Sequence, residues 1–80
     1  MSNNKILENA FTTILEIDAS QINEELKYQS IPEWDSINHM FLIGEIEDVF
    51  NVEIDSDDIL EVKSYNDAKN VLGRYGVDFE

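Results

Sequence analysis

The chain has no cysteine, only three glycines and a single proline among its 80 residues. The absence of cysteine excludes disulfides, thiolate metal sites and cysteine nucleophiles. Three scattered glycines cannot supply a glycine-rich phosphate loop. Basic residues are scarce as well, because five Lys and Arg stand against 18 Asp and Glu, for a formal net charge of −13. This charge argues against nucleic acids and anionic membranes as partners and favours basic protein surfaces.

Long apolar runs are also missing. No segment approaches the ~18 consecutive apolar residues of a membrane span, and no charged N-terminal region precedes an apolar run. We therefore expect a cytoplasmic protein without membrane insertion. Apolar residues make up 42% of the chain, which is enough for one small domain over residues 1–80. A core of this size leaves no room to enclose a large substrate.

The acidic residues are concentrated in the middle of the chain. No Lys or Arg lies between Tyr28 and Val62, and the same stretch carries ten carboxylates. Their mutual repulsion disfavours the compact state, so a binding role would explain their retention. The alternative is a solvated acidic face that only keeps the protein soluble.

Helical periodicity is the strongest local signal in the first half of the chain. Apolar residues recur at steps of three and four over about residues 3–16, which predicts an amphipathic helix. Residues 17–35 have no sustained period, so we expect a long loop there, and Pro32 bars helix at Ile31. Four apolar side chains are spaced to pin this loop to a core: Ile22, Leu26, Ile31 and Trp34.

Three further helices are predicted in the second half. Asp35 is a suitable N-cap for a helix over Ser36–Phe50, and Asn51 can end it in the left-handed conformation. A short third helix is expected over residues 57–61, capped by Asp55 and Ser56. A fourth begins behind the capping-box sequence Ser64-Tyr65-Asn66-Asp67. The predicted fold is all-α, a small four-helix bundle of three main helices and one short helix.

The second helix has two apolar stripes when its residues are placed at about 100° per step. One stripe should face the core: Leu42, Ile43, Ile46, Val49 and Phe50. The other points away from it and contains Ile37, Met40, Phe41 and Gly44, with Glu45, Glu47 and Asp48 around it. An apolar patch bordered by carboxylates indicates a docking surface. The alternative is burial under the loop, beneath Ile31 or Trp34.

Ser36 lies in the first turn of this helix, between the two stripes. A phosphate ester on its hydroxyl would be stabilised by the unpaired N–H groups and the positive end of the helix dipole. The alternative is ordinary, since serine is common at helix starts.

Catalytic and metal sites find less support. A catalytic triad is suggested by Ser36 as nucleophile, His39 as base and Asp35 as orienting acid. However, no G-x-S-x-G elbow is present. His39 falls on the core side of the helix, where a half-buried structural role is expected. The acidic run from Asp55 to Asp58 fails as an EF-hand at three positions, including the required glycine and the closing glutamate.

The order of these features resembles the acyl carrier protein family over nearly the whole chain. The resemblance is carried by Glu33-Trp34-Asp35-Ser36-Ile37, which leads into Leu42, Ile46, Glu47 and Phe50 and then Asn51-Val52-Glu53-Ile54. In that family an Asp-Ser-Leu motif opens the second helix. By this resemblance Ser36 would carry 4′-phosphopantetheine and Asp35 would be the acidic residue before it.

Other positions of the motif divide into matches and departures. Ile37 would replace the usual leucine, and Glu47 and Asp48 would match acidic positions of the partner-facing helix. Asn38 stands where an aspartate is usual, Phe41 where a glutamate is common and Trp34 where a small residue is usual.

The resemblance implies a monomeric carrier that is not itself an enzyme. A phosphopantetheinyl transferase would modify Ser36 from coenzyme A and Mg²⁺, and the arm's thiol would hold acyl or aminoacyl groups as thioesters. Basic acyl- or aminoacyl-loading and acyl-processing enzymes would dock on the second helix. The departures favour a specialised fatty acid, polyketide, peptide or cell-surface pathway. The alternative is an unmodified acidic adaptor for a basic protein, and a minimal serine hydrolase is the least favoured.

Overall fold

The computed structural model describes residues 2–79, so Met1 and Glu80, the ends of the predicted domain, lie outside the described residues. Within this range the chain is helical and contains no strand, which confirms the all-α prediction. The elements in chain order are α1 (Asn3–Leu15), a 3₁₀ turn (Ala19–Gln21), α2 (Ser36–Phe50), α3 (Ser56–Ile59) and α4 (Tyr65–Arg74). None of these helices is both long and apolar enough to cross a bilayer.

The core lies between α1, α2 and α4. Each of these helices contributes one stripe of buried side chains: Leu7, Ala10, Phe11 and Leu15 from α1, Leu42, Ile43 and Ile46 from α2, and Ala68, Val71 and Leu72 from α4. Trp34, just before α2, is fully buried and meets the ring of Phe11 edge-on at 5.5 Å between centroids. The segment that leads into α2 is therefore anchored in the core.

The bounds of α2 agree with the prediction at both ends. The Asp35 carboxylate accepts a hydrogen bond from the Asn38 N–H at 2.8 Å, as an N-cap does. Asn51 is left-handed with φ 54°, and its N–H donates to the Glu47 carbonyl. This is the expected helix end, because asparagine tolerates that conformation better than most residues.

The other helix bounds differ slightly from the predictions. α1 ends one residue earlier, because Glu16 turns left-handed with φ 55°. α3 occupies Ser56–Ile59 and not 57–61, because the Val62 N–H bonds to the Ile59 carbonyl three residues back and tightens the chain into a turn. The Asp55 side chain makes no cap hydrogen bond there. At α4 the prediction is confirmed, since the Ser64 hydroxyl accepts from the Asp67 N–H at 3.0 Å.

The long loop expected between α1 and α2 is not confirmed as such. The connection contains the 3₁₀ turn and then pairs with the segment before α4, where the Tyr28 N–H donates to the Lys63 carbonyl at 2.7 Å. The Gln29 N–H closes a further turn onto the Trp34 carbonyl at 3.0 Å. The predicted anchors are confirmed, because Leu26 and Trp34 are buried and the other two are half-buried. The connection is a succession of fixed turns.

The predicted core stripe of α2 is too wide by one residue. Val49 is 40% exposed, whereas the prediction placed it in the core. It borders a shallow depression between α1 and α2, with Ile6 and Glu45 on the same rim. Phe50 is half-buried and packs against the ring of Phe79, with centroids 6.0 Å apart. The edge of a stripe depends on how closely the neighbouring helix approaches, and the sequence does not specify that distance.

Candidate functional site at the start of α2

Ser36 is the first residue of α2, and its side chain is exposed. Within residues 2–79, its hydroxyl forms no hydrogen bond to protein groups. The first bond of the helix runs from the His39 N–H to the Asp35 carbonyl at 2.8 Å. The N–H groups of Ser36 and Ile37 precede it and have no partner within the helix. The hydroxyl therefore stands free beside backbone donors at the positive end of a 15-residue helix.

Asn38 fixes the segment that precedes Ser36. Its side-chain amide donates to the Glu33 carbonyl at 2.7 Å, while its backbone N–H is held by Asp35. An aspartate at this position could not donate that bond at neutral pH. In the sequence, Asn38 is only a departure from a family pattern. Its contact is visible only once the fold brings Glu33 back over the first turn of α2.

A buried bridge joins three parts of the chain behind the Ser36 turn. The Trp34 indole Nε1–H donates to His39 Nδ1 at 3.0 Å, and His39 Nε2 lies 3.1 Å from the Ile59 carbonyl. Because indole can only donate, Nδ1 accepts and the ring hydrogen belongs on Nε2, which donates to Ile59. The imidazole also lies nearly parallel to the indole, at 26°. His39 thus ties the segment before α2 to the end of α3.

This bridge corrects the expected burial of His39. His39 is only 8% exposed, whereas the prediction was a half-buried residue. Its assignment to a structural role is supported, because both ring nitrogens are engaged with Trp34 and Ile59. The Asp35 carboxylate is bound to the Asn38 N–H. The structure therefore does not connect Asp35, Ser36 and His39 as a catalytic triad.

The second stripe of α2 is uncovered. Ile37, Met40 and Phe41 are 67%, 56% and 62% exposed. Trp34 does not lie over them, because it is fully buried in the core. The interpretation that the loop covers this stripe is therefore wrong. Leu60, which sequence analysis did not single out, is 72% exposed and directly follows Ile59, the residue that bonds to His39.

The three carboxylates around this stripe differ in their surroundings. Asp48 is exposed, and Glu45 is half-buried at the rim of the depression beside α1. Glu47 is half-buried, and its Oε2 accepts from the Ile54 N–H at 2.8 Å. Glu47 thus has a structural role that the sequence did not reveal.

Within residues 2–79, no salt bridge neutralises the carboxylates of α2. In the described part of the chain, the salt bridges join Lys5 to Glu8 and Arg74 to both Asp58 and Glu61. None of them involves α2. The helix therefore presents its carboxylates beside an exposed apolar stripe.

Other features of residues 2–79 suggest no second site. No group of three or more His, Asp or Glu side chains there is placed to hold a metal ion. A depression of about 650 Å³ lies between α1, α4 and the connection, and none of its lining residues belongs to α2. Tyr65 lines it and donates to the Asn4 carbonyl at 3.0 Å. Burial, and secondarily the nearby Glu8 carboxylate, raises the pKa of Tyr65.

No family model matches the chain, and neither a curated protein nor a solved structure does. The functional interpretation therefore depends on the residues themselves. These are the free Ser36 hydroxyl, the Asp35 cap beside it and the uncovered acidic and apolar face of α2.

Proposed function

We propose that this chain is a carrier protein whose Ser36 bears 4′-phosphopantetheine. One observation carries the proposal. Ser36 is the first residue of a long helix, its exposed hydroxyl has no hydrogen bond within residues 2–79, and the outer face of the helix is apolar, acidic and uncovered. The resemblance of the sequence around Asp35 and Ser36 to acyl carrier proteins supports the same conclusion. Trp34 and Phe41 depart from the pattern of fatty acid synthesis, which favours a specialised pathway.

The residues at the start of α2 fit the proposed group. In the modification, the Ser36 oxygen forms a bond to the pantetheine-bearing phosphorus of coenzyme A. The diphosphate P–O bond breaks, adenosine 3′,5′-bisphosphate leaves, and the hydroxyl proton passes to a base of the transferase. The resulting phosphodiester is an anion, and the N–H groups of Ser36 and Ile37 and the helix dipole favour an anion there. When bound, the arm supplies the thiol on which acyl or aminoacyl groups travel as thioesters.

The surface of α2 supports transient docking of partner enzymes. Its unneutralised carboxylates attract basic surfaces over long distances, which speeds encounter more than it strengthens the complex. Ile37, Met40 and Phe41 supply a small apolar contact of the kind found in weak, short-lived complexes. A carrier that passes from one enzyme to the next requires weak binding of this kind.

A second candidate is an adaptor that binds a basic protein without modification. It is favoured by the apolar stripe on the outer face of α2, because a partner could bind this stripe without any modification of the Ser36 hydroxyl. The two candidates differ in one chemical step, and that step can be measured.

The test is the intact mass of the protein after incubation with coenzyme A, Mg²⁺ and a broad-specificity phosphopantetheinyl transferase. Ser56→Ala is the matched control, because Ser56 also follows an aspartate and opens a helix. α3 has only four residues and has Asp57 and Asp58 in its first turn, which disfavours an anion there. We expect one phosphopantetheine on the wild type and on Ser56→Ala, and none on Ser36→Ala. An unmodified wild type would favour the adaptor.

A further inference from the structure

The space directly behind Ser36 is filled by Trp34, two residues before it. Trp34 is fully buried, and three further rings lie around it, with centroid distances of 5.5 Å to Phe11, 6.2 Å to Tyr28 and 6.1 Å to His39. Protein interiors are packed as densely as organic crystals, so such a cluster leaves no channel for a hydrocarbon chain. The core is therefore closed on the side of the attachment point.

The gap between α2 and α3 is closed by the buried bridge. His39 lies one turn after Ser36, and its Nε2 donates to the Ile59 carbonyl while its Nδ1 accepts from the Trp34 indole. A chain that entered here would break the bond to Ile59 and displace the indole, whose N–H would lose its buried partner. Hydrocarbon offers no hydrogen bond in exchange. Polar bonds therefore oppose the entry of an apolar chain, in addition to packing.

The outer surface offers contact but no enclosure. Ile37, Met40 and Phe41 lie on an open helix face, and each is more than half exposed. A long chain laid along them would keep its other side in water, which is unfavourable for apolar surface. The depression between α1 and α4 is lined mostly by polar and charged side chains, which do not suit a hydrocarbon chain. Neither surface would shield a long chain from water.

We infer that the cargo of this carrier is a short acyl group, or one with polar substituents such as hydroxyl or amino groups, and that it stays outside the core. Trp34 is the residue that excludes long hydrocarbon chains from the space behind Ser36. This inference rests on the proposed function, because only a modified Ser36 carries cargo. A short or polar group has little apolar surface to remove from water, so it needs no interior cavity.

The experiment attaches acyl groups of increasing length to Ser36. A broad-specificity phosphopantetheinyl transferase moves the acyl-phosphopantetheine from acetyl-, butanoyl-, hexanoyl- or octanoyl-coenzyme A, and intact mass verifies a single group. The melting temperature is then measured, together with the fluorescence of Trp34, the single tryptophan of the chain. Trp34→Ala and Trp34→Leu open the space behind Ser36. Phe50→Ala is the matched control, because Phe50 packs against Phe79 about 20 Å from Ser36 along α2.

In the wild type we expect all acyl forms to melt within about 2 °C of one another and to share one emission maximum, because the chain stays outside the core. In Trp34→Ala the octanoyl form should melt about 5–15 °C above the acetyl form, because its methylenes fill the new cavity. Trp34→Leu should show a smaller gain, since less space opens. Phe50→Ala should melt below the wild type without any dependence on chain length.

The outcomes separate the cargo assignment from the proposed function. If the wild type accepts no acyl form, the proposed function fails and the cargo assignment with it. If the wild type is modified and its octanoyl form melts more than about 5 °C above its acetyl form, the cargo assignment alone is overturned. A shift of the Trp34 emission with chain length would overturn it as well.

The role of Trp34 has its own refutation. It is overturned if the folded Trp34 variants gain nothing from the octanoyl group, or if Phe50→Ala gains as much as they do. If Trp34→Ala has no helical signal in circular dichroism, Trp34→Leu and the wild-type series decide.

Discussion

Removal of His39 tests the buried bridge behind Ser36. In His39→Leu the buried Trp34 indole N–H loses its partner, whereas the Ile59 carbonyl loses one bond and keeps the one from the Val62 N–H. Each orphaned buried group costs about 1–3 kcal/mol. Because the Ile59 carbonyl keeps the Val62 N–H, only the indole N–H is orphaned, and we expect a loss of about 1–3 kcal/mol. This is a measurable part of the ~5–15 kcal/mol that stabilises a typical domain.

A double-mutant cycle measures the bond itself. Trp34→Phe, His39→Leu and the double variant are unfolded in urea and followed by circular dichroism. We expect a coupling energy of about 0.5–3 kcal/mol, because the two side chains share one hydrogen bond. His39→Gln is the matched control, since a glutamine amide can both accept from the indole and donate to a carbonyl, and it should recover part of the loss. Wild-type stability in His39→Leu, or no coupling in the cycle, would refute the bridge.

Further predictions concern the two faces of α2. Leu42 is fully buried, so Leu42→Ala should cost about 2–5 kcal/mol in urea unfolding, and an unchanged unfolding curve would mean that the helix faces are inverted. Phe41→Glu should keep the melting temperature, because Phe41 is exposed. It should weaken recognition of this protein by its own pathway enzyme, while recognition by a fatty-acid-type transferase should be spared. A large loss of melting temperature would instead make Phe41 structural. Asp48→Lys should slow association with the transferase in stopped-flow measurements and weaken its salt dependence, and an unchanged rate would exclude steering by α2. Glu47→Lys should also lower the melting temperature, which Asp48→Lys should not, because Glu47 holds the Ile54 N–H.

The sequence predicted best those features that depend on local chemistry. Asp35 and Asn51 set the ends of α2, because a cap and a left-handed residue act within one turn of chain. The exposed stripe also followed from the sequence, since Ile37 and Phe41 lie about 140° and about 100° around the helix from Leu42, away from the core. Ser36 is exposed because it lies at a helix start whose cap is the residue before it.

The features that the sequence missed depend on distant partners. Glu47 was assigned to docking alone, although its carboxylate also holds the Ile54 N–H, because the turn between them is set by the whole chain. Val49 is exposed because a depression separates α1 from α2 at this position, and the sequence does not specify the distance between the helices. The single histidine and the single tryptophan could have suggested a buried pair. Their bond could not be predicted, since it requires the orientation of Trp34 relative to α2.

The central claim is that Ser36 carries the phosphopantetheine arm, and its most direct test is to locate the group on the wild-type protein. The protein is co-expressed with a broad-specificity phosphopantetheinyl transferase, digested, and its peptides are fragmented in a mass spectrometer. We predict one phosphopantetheine on the peptide that contains Asp35 and Ser36, with a free thiol that reacts with a maleimide. A group on Ser56, or no group on any peptide, would contradict the account.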